Sequence, residues 1–241
     1  MSQNVVGWFL PKTLEARSIW YDPVPFKWHP DTIGHSNLFL ECPAYQKFSR
    51  NSFVLKCPFD LHLHCSLNDD GCELSVGGNS SIKPEKLEQF IKVHPKDEWR
   101  ESDKPLIQMM LNYYFITDDH VDIQYLSPLT TNYFRPALPG LVLQGRWNIN
   151  SWIRPVNFVF EWWDTSMDLF IKRGFPILNL MFLPKDQDSN IRLIEAEETE
   201  EVIAMAKNVQ SINSYIKNVF SVLPSVEKRR PKKLVRPCKS T

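Results

Sequence analysis

Residues 140–182 read GLVLQGRWNINSWIRPVNFVFEWWDTSMDLFIKRGFPILNLMF, and this stretch decides the fold class. Val, Ile, Phe and Trp dominate it, the residue types that suit a pleated, half-buried surface. In NFVFEWW apolar side chains fall on both parities, which predicts a strand covered on both faces. Gly174-Phe175-Pro176 splits the last part into two strands, because Pro cannot donate to a ladder. Working outward gives more of the same. SNLFLECPAY (36–45), NSFVLKCPFDLHLHCSL (51–67), PLIQMMLNYYFIT (105–117) and VDIQYLSPL (121–129) all read as strands. Asn68-Asp69-Asp70-Gly71 is a hairpin turn signal, and Asp118-Asp119-His120 reads as the tip of a second hairpin. Eight or more strands precede residue 190, joined by short connections. The expected fold is mainly β, an antiparallel sandwich or jelly-roll-like body with one short internal helix and a long C-terminal helix.

The internal helix is expected over residues 84–100. Pro84 suits a first helical position, Leu87, Phe90 and Ile91 share a face, and Pro95 ends it. Four stretches follow from this reading. They are an extended, aromatic-rich N-terminal arm (1–36), a β domain (37–190), the C-terminal helix (195–224) and a flexible basic tail (225–241). The helix has five glutamates between Glu195 and Glu201 at its start, where the dipole favours negative charge, and Pro224 at its end. Val202, Met205, Val209, Ile212, Ile216 and Val219 alternate spacings of three and four. That heptad pattern suits self-association, while Ile203, Tyr215 and Phe220 widen the stripe as in a helix docked on a sheet.

Composition excludes several roles. The 28 basic and 28 acidic residues balance, so no overall field recruits nucleic acid or membrane. No apolar run approaches a bilayer span, and no leader-like segment opens the chain. Five cysteines make an odd count, which fits free thiols in a reducing compartment. Charge is uneven locally: from Ser225 onward seven Lys or Arg face one Glu. Lys228, Arg229, Arg230, Lys232, Lys233 and Arg236 in this tail suit weak, non-specific contact with phosphates or an acidic protein surface.

Three constellations carry the chemistry worth weighing. His120-Val121-Asp122 has the His-x-Asp form of a facial iron triad, but no histidine follows it, and turn chemistry accounts for its residues. LHLHC offers His62, His64 and Cys65. Strand alternation puts both histidines on one face and Cys65 on the other, so a polar strand surface explains the pair and no metal or other cofactor is expected. Trp147, Trp152, Arg154 and Trp163 form a Trp/Arg group that suits stacking with a sugar or nucleotide, against a plain role as core aromatics. No nucleophile elbow, Walker loop or dinucleotide fingerprint is present.

The arrangement CPAYQKFSRNSFVLKCPFDLHL, then SPL, GRWNINSWIRPVNFVFEW and IKRGFPILNLMF, resembles a family of proteins from large contractile-tailed bacteriophages, notably those of marine cyanobacteria. The likeness spans roughly residues 38–185 and rests on strand patterns, so it is silent on activity. The layout is also similar to β-rolls of the deoxyuridine triphosphatase kind, whose Asp and Ser motifs this chain lacks. The phage resemblance implies a non-enzymatic protein, virion-associated or acting on a host component. It would lie in the virion or host cytoplasm and act through contacts with other phage or host proteins. The alternative is a ligand-binding or enzymatic β-barrel acting on a nucleotide or sugar.

Overall fold

The computed structural model describes residues 3–27, 41–128, 138–218 and 221–238. Within them the chain is mainly β, with strands in three sheets and four α-helices. The largest sheet runs β14 (Asn190–Glu195), β1 (Gln3–Phe9), β7 (Leu106–Thr117), β11 (Pro155–Trp162), β9 (Gly140–Val142), with β6 (Ile91–Val93) added to β7. The second runs β10 (Gly145–Asn148), β8 (Val121–Leu126), β13 (Pro176–Pro184), β3 (Ser52–Lys56), β2 (Val24–Pro25). The third is small: β12 (Leu169–Ile171), β4 (Leu61–Asn68) and β5 (Gly71–Val76). The helices are α1 (Pro43–Arg50), α2 (Leu87–Phe90), α3 (Glu200–Tyr215) and α4 (Leu223–Arg229).

One contiguous core takes side chains from all three sheets, among them Phe115, Phe158 and Trp162 from the first, Leu55 and Phe182 from the second and Leu63 from the third. A second cluster lies beneath α3. There Val202, Met205, Ala206 and Val209 pack with Phe9, Ile116, Ile153, Ala196, Leu234 and Val235. Burial of each Val, Leu, Ile, Phe or Met side chain here stabilises the fold by about 1.5–3 kcal/mol before ordering costs are counted.

The structure departs from the sequence reading at six places. The first residues are not an arm over the body: β1 is an inner strand, antiparallel to β7 and parallel to β14. Val6, Trp8, Phe9 and Leu10 are all buried, and a strand covered on both faces shows no alternation to betray it. The parallel pair also breaks the expected all-antiparallel pattern. The long C-terminal helix is absent, because α3 stops at Tyr215 and Ile216 is extended at φ −135°, ψ 143°. Ser211, Asn213 and Ser214 are weak helix formers, and Pro224, expected as a stop, instead sits in the first turn of α4.

The internal helix is reduced to a 3-10 turn and the single turn of α2. Ile91 then pairs with Met109, so tertiary pairing overrides helical periodicity. SNLFLECPAY is not a strand at its described end: α1 begins at Pro43, while residues 36–40 lie outside the described residues. Finally, Asp118-Asp119-His120 is a turn but not a hairpin tip, since β7 and β8 belong to different sheets. The Asn68–Gly71 turn does close a hairpin, with Asn68 paired to Gly71. Among the described residues no helix is long and apolar enough to cross a membrane.

Candidate metal centre

Strand β4 alternates buried and half-buried residues, so Leu61, Leu63 and Cys65 enter the core while His62 and His64 face outward. Their rings lie 4.8 Å apart, and His62 meets the Phe170 ring edge-on across the β12 pairing. Gly77 leaves room for this arrangement, because any Cβ there would collide with the His62 ring.

The third member comes from far along the chain. Asp168 stands immediately before β12, at the end of a loop pinned by the buried Trp162. The Trp162 indole N–H is shared between the carbonyls of Asp164 and Met167 at 2.9 and 3.1 Å, and Asp164 also accepts from the Ser166 backbone and hydroxyl. Once β12 pairs with β4, the Asp168 carboxylate bridges both imidazoles. Its Oδ2 lies 2.8 Å from His62 Nε2 and its Oδ1 2.6 Å from His64 Nδ1.

The hydrogen bonds from His62 and His64 hold the Asp168 carboxyl below the ordinary aspartate range. An ionised carboxylate only accepts, so each imidazole donates to it. The Asn79 N–H donates to His62 Nδ1 at 3.3 Å, which agrees with the proton of His62 sitting on Nε2. Among the described residues this is the one group of three His, Cys, Asp or Glu whose ligand atoms all lie within 4.8 Å of one another. His62 is 13% exposed, but His64 and Asp168 are 43% and 44% exposed, so solvent reaches the group. Two imidazoles and one carboxylate form a ligand set used for zinc and for non-haem iron.

The His120-Val121-Asp122 triplet is drawn apart by other partners. His120 faces Glu227 at 3.7 Å, whereas Asp122 accepts from Arg146 and Asn148 at 2.8 and 2.9 Å. Asp118 in the same turn brackets the C-terminal segment, accepting the Leu234 N–H at 2.6 Å and pairing with Arg230 at 3.5 Å.

The Trp/Arg group divides in two. Trp147 is buried in the main core and meets Tyr125 and Trp152 edge-on, with the Arg154 guanidinium over both indoles at 5.6 and 4.9 Å. Trp163 follows the far end of β11, about 25 Å along an eight-residue strand from Arg154, so the four cannot line one site. Its indole N–H donates instead to Glu161, a buried carboxylate that Arg100 also clamps. A groove of about 520 Å³ lies elsewhere, with Leu14, Phe59 and Phe90 among its walls and Lys83, Lys86 and Arg173 at its edge. None of Trp147, Trp152, Arg154 or Trp163 lines it.

Along the heptad stripe, Val202, Met205 and Val209 are buried on the β body, Ile212 is half-buried and Ile216 is exposed. Val219 lies outside the described residues. The basic segment is docked rather than free. Leu234 and Val235 are buried, and Ala196 bridges to Pro237. Arg230 donates to the Thr117 carbonyl, and Arg236 pairs with Glu201 at 2.9 Å. Lys228, Arg229, Lys232 and Lys233 remain exposed. The apolar pair Leu234-Val235 inside the basic run supplies the anchor that charge counting overlooked.

No family model, curated protein or solved structure matches the chain.

Proposed function

We propose that the chain is a divalent-cation-binding β protein, with His62, His64 and Asp168 as protein ligands of a first-row metal such as Zn2+. The observation that carries this reading is the convergence of the Asp168 carboxylate on two imidazoles held by a rigid strand. Three protein ligands open to solvent leave coordination positions for water, the arrangement of reactive rather than closed structural zinc sites. Water held there becomes more acidic, which favours hydrolytic chemistry. Metal at His62 Nε2 moves the ring proton to Nδ1, so the long donation from Asn79 gives way on loading. We read the six- and five-stranded sheets as the two faces of a sandwich-like body, supported by the core they share.

The test is titration of the intact chain with Co2+ and Zn2+. One equivalent is expected, with the cobalt spectrum of nitrogen and oxygen ligands and no thiolate charge-transfer band. His64→Ala and Asp168→Asn should each weaken binding more than about ten-fold, the loss that outer-shell partners alone already produce. Equal affinity in the double variant rules the centre out.

A second reading is a virion-associated or host-directed protein acting through protein contacts, as the phage resemblance implies. Tyr215 and Ile216 support it, standing 85% and 36% exposed where α3 ends, as do the four exposed cations nearby in sequence. Light scattering decides the self-association part: a defined oligomer that Tyr215→Ser and Ile216→Ser together reduce to monomer supports it, and a monomeric parent chain removes it.

A further inference from the structure

The hairpin β4–β5 carries two cysteines on its core-facing side. In the pairing register Cys65 lies opposite Leu74 and Cys72 opposite Leu67, which makes the two thiols diagonal neighbours on one face. Their sulfurs are 2.7 Å apart, and a covalent bond requires closure to about 2.0 Å. The intervening turn is short and well set, with the Asn68 side chain accepting the Asp70 N–H at 3.1 Å and Gly71 at φ 154°. Cys65 is buried and Cys72 half-buried, so one sulfur is covered and its neighbour is reachable from solvent.

We infer that Cys65 and Cys72 form a redox-active dithiol that closes to a disulfide across the hairpin by exchange with a small disulfide. Cys72 is the attacking group. Its sulfur is the one that solvent reaches, while that of Cys65 is covered by the core. The thiolate is the nucleophile, so the reachable sulfur reacts first.

The step balances with oxidised glutathione as the oxidant. The Cys72 thiolate attacks one glutathione sulfur, the glutathione S–S bond breaks, and one glutathione thiolate leaves and takes up a proton. Cys65 then loses its proton and attacks the Cys72 sulfur. The mixed disulfide breaks and the second glutathione leaves as thiol. The protein has lost two hydrogens and one small disulfide has become two thiols. The product ties β4 to β5 one residue beyond His64, and the inference stands whether or not the centre binds metal.

The experiment exposes the folded, intact chain to oxidised glutathione, quenches with an alkylating agent and maps each thiol by mass spectrometry. The peptides holding Cys65 and Cys72 should escape alkylation with the loss of two hydrogens, at least about ten-fold faster than glutathione adds to Cys42 or Cys238. Cys57 serves as the unreactive reference. It is fully buried, its thiol donates to the Phe59 carbonyl, and burial pushes its pKa up to about 12. In Cys65→Ser, Cys72 should accumulate as the glutathione mixed disulfide. In Cys72→Ser, reaction at Cys65 should slow about ten-fold or more. A parent chain that holds a stable glutathione adduct on Cys72, or whose two thiols react no faster than Cys42, overturns the inference, and that measurement needs no variant to fold.

Discussion

The apolar cluster beneath α3 and the small sheet β12–β4–β5 are assembled in opposite ways. The first joins Phe9 near the start of the chain, Ile116 in its middle, and Val202, Val209, Leu234 and Val235 near the described end. Its members are closed off by one another, and the polar groups nearby are consumed in holding them, as Asp118 holds Leu234. The second is mostly a local hairpin plus one short strand, with its apolar residues mostly on one face and Phe170 beside His62 on the other. Its other face leaves His62, His64 and Asp168 bonded to one another and accessible. The difference teaches where stability and chemistry are kept in this molecule. Packing is thick where distant segments meet and thin where titratable groups converge.

That contrast can be broken at its strongest point first. Phe9→Ala removes a ring stacked on Tyr114 at 5.1 Å between centroids and opens a cavity in the cluster under α3. The expected loss is about 3–5 kcal/mol in a urea unfolding series. A loss below about 1 kcal/mol would mean that the cluster is not a load on folding at all. Next comes the bracket that holds the C-terminal segment. Asp118→Ala leaves the Leu234 N–H without its partner and a mostly buried Arg230 with only the Thr117 carbonyl, at about 1–3 kcal/mol. Residues 231–238 should become cleavable under native conditions, and unchanged protease resistance would argue that Leu234 and Val235 suffice.

The smallest effect belongs to the open sheet. The carboxyl of Asp168 is depressed by its bonds to His62 and His64, so its contribution is present above the ordinary aspartate pKa and is lost as pH falls through the lower folded-state value. Unfolding measured below about pH 4 should therefore be steeper in pH for the parent chain than for Asp168→Asn. At neutral pH the two should differ little, because the pair is exposed and screened. Parallel acid profiles would show that the His–Asp–His contact contributes nothing to folding.

Much of the body was legible in the amino-acid pattern. β11 and β13 announced themselves through β-branched and aromatic runs, Asn68–Gly71 through turn chemistry, and the shared face of His62 and His64 through simple alternation. Asp168 was not legible. It is separated from His64 by 104 residues, and its placement depends on β12 choosing β4 as its neighbour. The two thiols were visible as residues but not as a pair, since their meeting follows from the hairpin register. β1 escaped because a strand buried on both faces has no period, and α3 was overextended because heptad spacing continued past residues that weaken a helix.

The parallel pairing of β1 with β14 also sets an order in time. Gln3 lines up with Asn190 and Trp8 with Glu195, so β1 leaves the ribosome long before this neighbour exists. At about 5–20 residues per second the wait is on the order of ten seconds or more. Until then β1, carrying Val6 and Trp8, has only β7 for company, and the free backbone of its other edge is a template for another nascent chain. Yield in a cell should thus depend on how quickly translation reaches residue 195, with slow codons between β7 and β14 favouring aggregation.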